Sequence, residues 1–79
     1  MTIEYAQDRA VFRDVVGIDE AEPLLAWLQS HRSGRVDLAA CSHLHPANLQ
    51  VLMAADAAIS AWPTDHGLAA WLASALRTA

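Results

Sequence analysis

The sequence predicts a small α/β domain of order β-β-α-β-α-β-α, a four-stranded mixed sheet with three helices, with residues 1–79 forming one unit. Three observations carry this. Two runs rich in β-branched and aromatic residues stand near the start, separated only by a short polar break. After them, short apolar runs alternate with segments whose apolar residues recur at helical spacing. Finally, 79 residues cannot be divided between two cores, because a chain below about 100 residues has little interior.

Ile3 to Ala6 and Ala10 to Val16 are the first two strands, Gln7-Asp8-Arg9 between them suits a hairpin, and Gly17 closes the pair. Asp19-Glu20-Ala21-Glu22 has the spacing of a capping box, with Pro23 inside the first turn of the helix it opens. In that helix Ala21, Leu24, Leu25 and Leu28 make the buried stripe, Trp27 sits at its edge, and His31-Arg32 stand favourably near the negative C-terminal end. Ser33-Gly34 stops it. Val36 to Ala40 reads as a short strand covered on at least one face.

Pro46 fits the first position of a second helix, where its missing N–H costs nothing, and Leu49, Leu52, Met53 and Ala57 mark that helix's apolar stripe. Ile59 to Trp62 is another strand, stopped by Pro63. Thr64 or Asp65 can cap the last helix, whose Leu68, Trp71, Leu72, Ala75 and Leu76 follow the spacing of a buried face. On this pattern Trp27 and Trp71 belong to the core, and Trp62 to the core or an interface. Right-handed crossovers make the later strands parallel neighbours in one sheet. Three helices do not cover both faces of four strands, so a face is left for a partner or a second copy.

The composition, 54% hydrophobic and 18% charged, is that of a folded globular chain and not of a disordered one. A core of this size supplies no more than roughly 3–5 kcal/mol of net stability, which leaves room for a homodimer. One cysteine excludes an internal disulfide, and the polar start MTIEYAQDRA has no basic segment or apolar run of a signal peptide. No stretch reaches the roughly 18 apolar residues that span a bilayer. The expectation is a cytoplasmic protein without membrane insertion. A net charge of −4, with Arg9, Arg13, Arg32, Arg35 and Arg77 scattered along the chain, argues against nucleic acid as a partner.

Chemistry concentrates in Cys41-Ser42-His43-Leu44-His45-Pro46-Ala47-Asn48-Leu49-Gln50. In an extended segment Cys41, His43 and His45 would project to one side and are candidate zinc ligands, but further ligands would have to come from Asp65 or His66. The plainer reading takes Cys41 as a small buried hydrophobe, His43 as partly exposed and His45 as the flank of the helix, with no metal or cofactor. A Cys–His nucleophile needs a base in reach and a lowered thiol pKa. No glycine-rich turn cradles a phosphate, Gly17, Gly34 and Gly67 being far apart, and so small a domain has little room for an enclosed substrate pocket. The expectation is therefore not an enzyme. Asp37, a charge within a strand, is expected at an edge or paired with Arg35 or His43.

Over Val36-Asp37-Leu38 and on through Leu44 to Leu49, Val51 and Leu52, the chain resembles the STAS domain, the sulfate transporter and anti-sigma factor antagonist module. In that family a strand of the type V-D-L-S leads to a D-S-S-G-L-G-V-L type loop and helix start. His45 stands where the family often has Asp, Pro46 where anti-sigma antagonists carry the phosphorylated Ser or Thr, Ala47 at the next hydroxyl position, and Asn48 and Gln50 at glycines. The chain is also shorter than the family's usual span, by about a terminal strand and helix. The resemblance implies a non-enzymatic bacterial regulator that binds a partner protein through residues 42–53, with contacts from His45, Pro46, Asn48, Leu49 and Gln50 and without the family's phosphorylation switch. The implied partner is an anti-sigma kinase, a transporter ATPase or another regulator. The alternatives are the small STAS subunit of a lipid-transport ATPase complex and a Cys/His metal-binding protein.

Overall fold

A computed structural model of the chain describes residues 2–77, with the side chain of Arg77 excepted. The first two strands, β1 (Ile3–Tyr5) and β2 (Arg9–Val16), pair antiparallel, with Ile3 opposite Phe12 and Tyr5 opposite Ala10. The polar break between them is a tight turn in which the Ala6 N–H donates to the Arg9 carbonyl at 2.7 Å. β3 (Arg35–Leu44) lies parallel to β2, and β4 (Ala58–Ala61) parallel to β3, giving one mixed sheet in the order β1-β2-β3-β4. With α1 (Ala21–Ser30), α2 (Pro46–Ala54) and α3 (His66–Arg77), the order is β-β-α-β-α-β-α, as the sequence predicts.

Right-handed crossovers between strands taken in order place both crossover helices on one face of the sheet, and α1 and α2 do pack against each other while α3 packs against β3. The core lies between them. Phe12, Leu24, Leu38, Leu44 and Leu72, one or more from each of β2, α1, β3 and α3, are completely buried. No helix among the described residues is long and apolar enough to cross a membrane.

Several local expectations are corrected. No capping box forms at Asp19 and Glu22. A 3-10 turn over Ile18–Glu20 precedes α1, and Glu20 stands at the N-cap position without a side-chain bond to the helix. The other end of α1 follows the sequence: His31 donates to the Trp27 carbonyl from its backbone N–H and from ring Nδ1, each at 2.9 Å, and its ring stacks on Trp27 at 4.5 Å. Gly34 lies under that indole, where an added Cβ would come within 2.7 Å of a ring carbon. Glycine at this stop is thus required by close approach rather than by backbone twist.

Met53 turns outward from α2, being 38% exposed, and Ala57 lies beyond the end of that helix. Trp71 is 38% exposed rather than core, because Leu68 and Leu72 take the inward positions of α3.

Candidate functional site

The junction from β3 to α2 is built by two irregularities that the residue pattern conceals. β3 has ten residues and β2 eight, and the surplus is absorbed where the register shifts, between Val11 and Arg13 and between Asp14 and Val15. Such bulges bend and twist the longer strand and break its alternation. At the first, Asp37 Oδ1 accepts from the Ala39 N–H at 3.0 Å, so this carboxylate caps backbone at the bulge instead of pairing with Arg35 or His43. At the second, Asp14 is opposite Cys41 and Val15 opposite His43, which leaves Ser42 over. Asp14 itself has φ 54, a left-handed backbone that Asp and Asn accept more readily than most residues.

The second bulge separates the three residues expected to act together. Cys41 faces the core at 2% exposure and donates its thiol to the His43 carbonyl at 3.4 Å. His43 is exposed. His45 is half-buried, and its ring Nδ1 accepts from the Ala47 N–H at 3.0 Å. Among the described residues no group of three or more His, Cys, Asp or Glu is placed to hold a metal ion, and Cys41, His43 and His45 are not brought together as a ligand set. Burial pushes the Cys41 thiol above its ordinary value; the His43 backbone bond opposes this, and the carboxylates of Asp14 and Asp65 add to it. That is the reverse of what a thiolate nucleophile requires.

His45 ends the strand and caps the helix in one residue. Its N–H donates to the Val16 carbonyl at 2.9 Å, closing the ladder, while its backbone stays extended at φ −63, ψ 139. The next donors are then consumed in turn: Pro46 has none, Ala47 is taken by the imidazole, and Asn48 donates to the His45 carbonyl at 2.9 Å. A helix start ordinarily offers free N–H groups to an anion, and here the first turn has none to spare.

Of the five residues expected to meet a partner, the structure presents three. Pro46 and Gln50 are exposed and His45 is half-exposed. Asn48 is completely buried, its Nδ2 donating to the Gly17 carbonyl at 2.7 Å, and Leu49 is 7% exposed within the core. In this fold those two side chains stand inside, away from the exposed surface. Asn48 ties α2 to the turn after β2, since the Glu20 N–H donates to the same Gly17 carbonyl at 3.2 Å. Nothing in the residue order marks Asn48 as inward, because an Asn in a helix's first turn is ordinarily solvated.

Beside this helix start opens a cleft of about 390 Å³, lined by Ser42, His43 and Leu44 of β3, Pro46 of α2, and Asp65, Gly67, Leu68 and Trp71 at the start of α3. α3 is held here by two side chains. Asp65 Oδ1 accepts from the Leu68 N–H at 2.9 Å as its cap, and Thr64 Oγ1 donates to the Ala39 carbonyl at 3.1 Å. The exposed Trp71, missed as a surface residue by its helical spacing, forms one wall. In comparisons with family models, curated proteins and solved structures, nothing matches this chain.

Proposed function

We propose that the chain is a cytoplasmic, non-enzymatic regulatory protein of STAS type, anti-sigma factor antagonist-like, that docks onto a partner protein with the surface around the start of α2. The observation that carries this reading is the exposed surface formed by Pro46 and Gln50 beside a cleft walled by an exposed tryptophan. Ligands of α/β proteins gather at the carboxyl ends of parallel strands, and this surface stands at the end of β3.

The element order and the phrase from Val36 to Met53 support the family reading, while Pro46, standing where the family carries its switch hydroxyl, departs from it. Docking here is constitutive, because proline offers no oxygen to a kinase. The partner is an anti-sigma kinase or another regulator of that kind, recognised by shape and apolar contact rather than by phosphate. A photo-crosslinking amino acid at Gln50, introduced in the native bacterium, gives a discrete adduct with one protein on this reading. No adduct from Gln50, with an adduct from exposed Gln29 on α1 instead, would sink it.

A further inference from the structure

The cleft beside α2 combines an apolar floor with a one-sided charge. Leu44 and Leu68 form its buried part, and Pro46 and Trp71 its exposed part. Val15, 55% exposed, extends the apolar surface as the strand neighbour of His43. Two carboxylates stand near it. Asp65, the residue before α3, lines the cleft, Asp14 lies opposite Cys41 at the neighbouring bulge, and both act electrostatically on that thiol.

Among the described residues no arginine lines the cleft, and the chain has no lysine. Arg13 pairs with Glu4. Arg9 and Arg35 face each other at the opposite end of β2 and β3, about 20–25 Å away given the length of β2. Among the described residues His43 is the one basic group in the lining. Apolar anchors in a concave, dehydrated seat supply most interface energy, and complementary charge selects the partner and speeds its arrival.

We propose that this cleft receives a basic-apolar segment of the partner protein: a large aliphatic or aromatic side chain seated against Leu44, Pro46, Leu68 and Trp71, with a lysine or arginine within a few residues of it drawn to Asp14 and Asp65. This deepens the docking reading and rests on it. Nucleic acid and anionic lipid are disfavoured by the same two carboxylates. A second copy of this chain, docked through the Arg9 and Arg35 end, would build a head-to-tail chain rather than a closed dimer.

The experiment is selection of a phage-displayed 12-residue peptide library on the full-length chain, followed by fluorescence anisotropy with the most enriched peptide. Enriched sequences should pair an aromatic or large aliphatic residue with Lys or Arg. Trp71→Ala should weaken binding about tenfold or more. The double substitution Asp14→Asn, Asp65→Asn should weaken it roughly threefold or more at low salt and flatten its salt dependence. Asparagine suits both places, since it accepts the left-handed backbone of Asp14 and caps helices as well as aspartate does, and an unchanged unfolding midpoint verifies this.

Enriched peptides without basic residues, no enrichment, or affinity indifferent to the asparagine pair would overturn the proposal. So would light scattering that shows oligomers abolished by Trp71→Ala, or binding of the chain to vesicles containing anionic lipid. A Gln50 crosslink in the native bacterium that survives Trp71→Ala removes this inference and leaves the docking reading standing. Absence of any crosslink from Gln50 removes both.

Discussion

His45 shows how one side chain can be misread when only its type is visible. An imidazole two residues after another suggests a ligand or a base, yet this one spends Nδ1 on the Ala47 N–H, 3.0 Å away. Asp is the better residue for that task, because it adds charge at the positive end of the helix. His45→Ala is therefore expected to cost about 1 kcal/mol, and His45→Asp to cost nothing or to stabilise; urea unfolding of the two variants makes the comparison. Equal loss from both would mean that the ring acts by packing and not as a cap.

Cys41 gives a second expectation at the same scale. Burial raises its thiol above the ordinary value of 9.0, and burial likewise raises Tyr5 above 10.0, with the carboxylate of Glu20 assisting. A group whose folded pKa is raised stabilises fully below its unfolded pKa and loses that contribution as pH rises through the folded one. Folding stability should thus fall as pH climbs past 9, first through Cys41 and then through Tyr5. Urea midpoints between pH 7 and 11 test this, and Cys41→Ala should delay the onset of the fall.

Among the elements, legibility followed the range of the causes. The helices and their order were legible because a helical stripe is local: Leu24 with Leu28, Leu49 with Leu52 and Leu68 with Leu72 are all buried as their spacing indicates. The apolar run of β3 ends at Ala40, and the strand's extension to Leu44 depends on pairing with β2 across two bulges. That information resides in the partner strand.

The end of α2 is similar. Asp56 takes φ 51, its N–H donates to the Met53 carbonyl at 3.2 Å, and the Ala57 N–H donates to the Leu52 carbonyl at 3.1 Å. This is the pair of bonds of a Schellman ending, for which glycine is the usual residue and here an aspartate stands. Asp56→Gly should raise stability by about 0.5–1 kcal/mol by relieving the left-handed backbone, whereas Asp56→Ala should lower it. Thermal unfolding of both variants, with opposite signs expected, separates backbone relief from mere loss of the carboxylate.

At the scale of the whole molecule, two like charges meet at one end of the parallel strands. Arg9 and Arg35 are direct cross-strand neighbours at the end where β2 and β3 begin, and Asp14 lies next to the cleft at the end where they finish. Composition could not show this, because a net charge of −4 is the same for any arrangement. Like charges directly opposite on a sheet destabilise by a few tenths to about 1 kcal/mol. Arg35→Glu should therefore stabilise the fold by about that amount by giving Arg9 a partner of opposite sign, and the gain should shrink between 20 mM and 500 mM salt, on the order expected from screening of exposed charges. The Arg35 N–H bond to the Asp8 carbonyl, 2.8 Å, is backbone and survives the change. Because the substitution lies far from Trp71 and Asp65, it should leave peptide binding at the cleft unaltered. A gain in stability accompanied by lost binding would instead show that the basic end takes part in recognition.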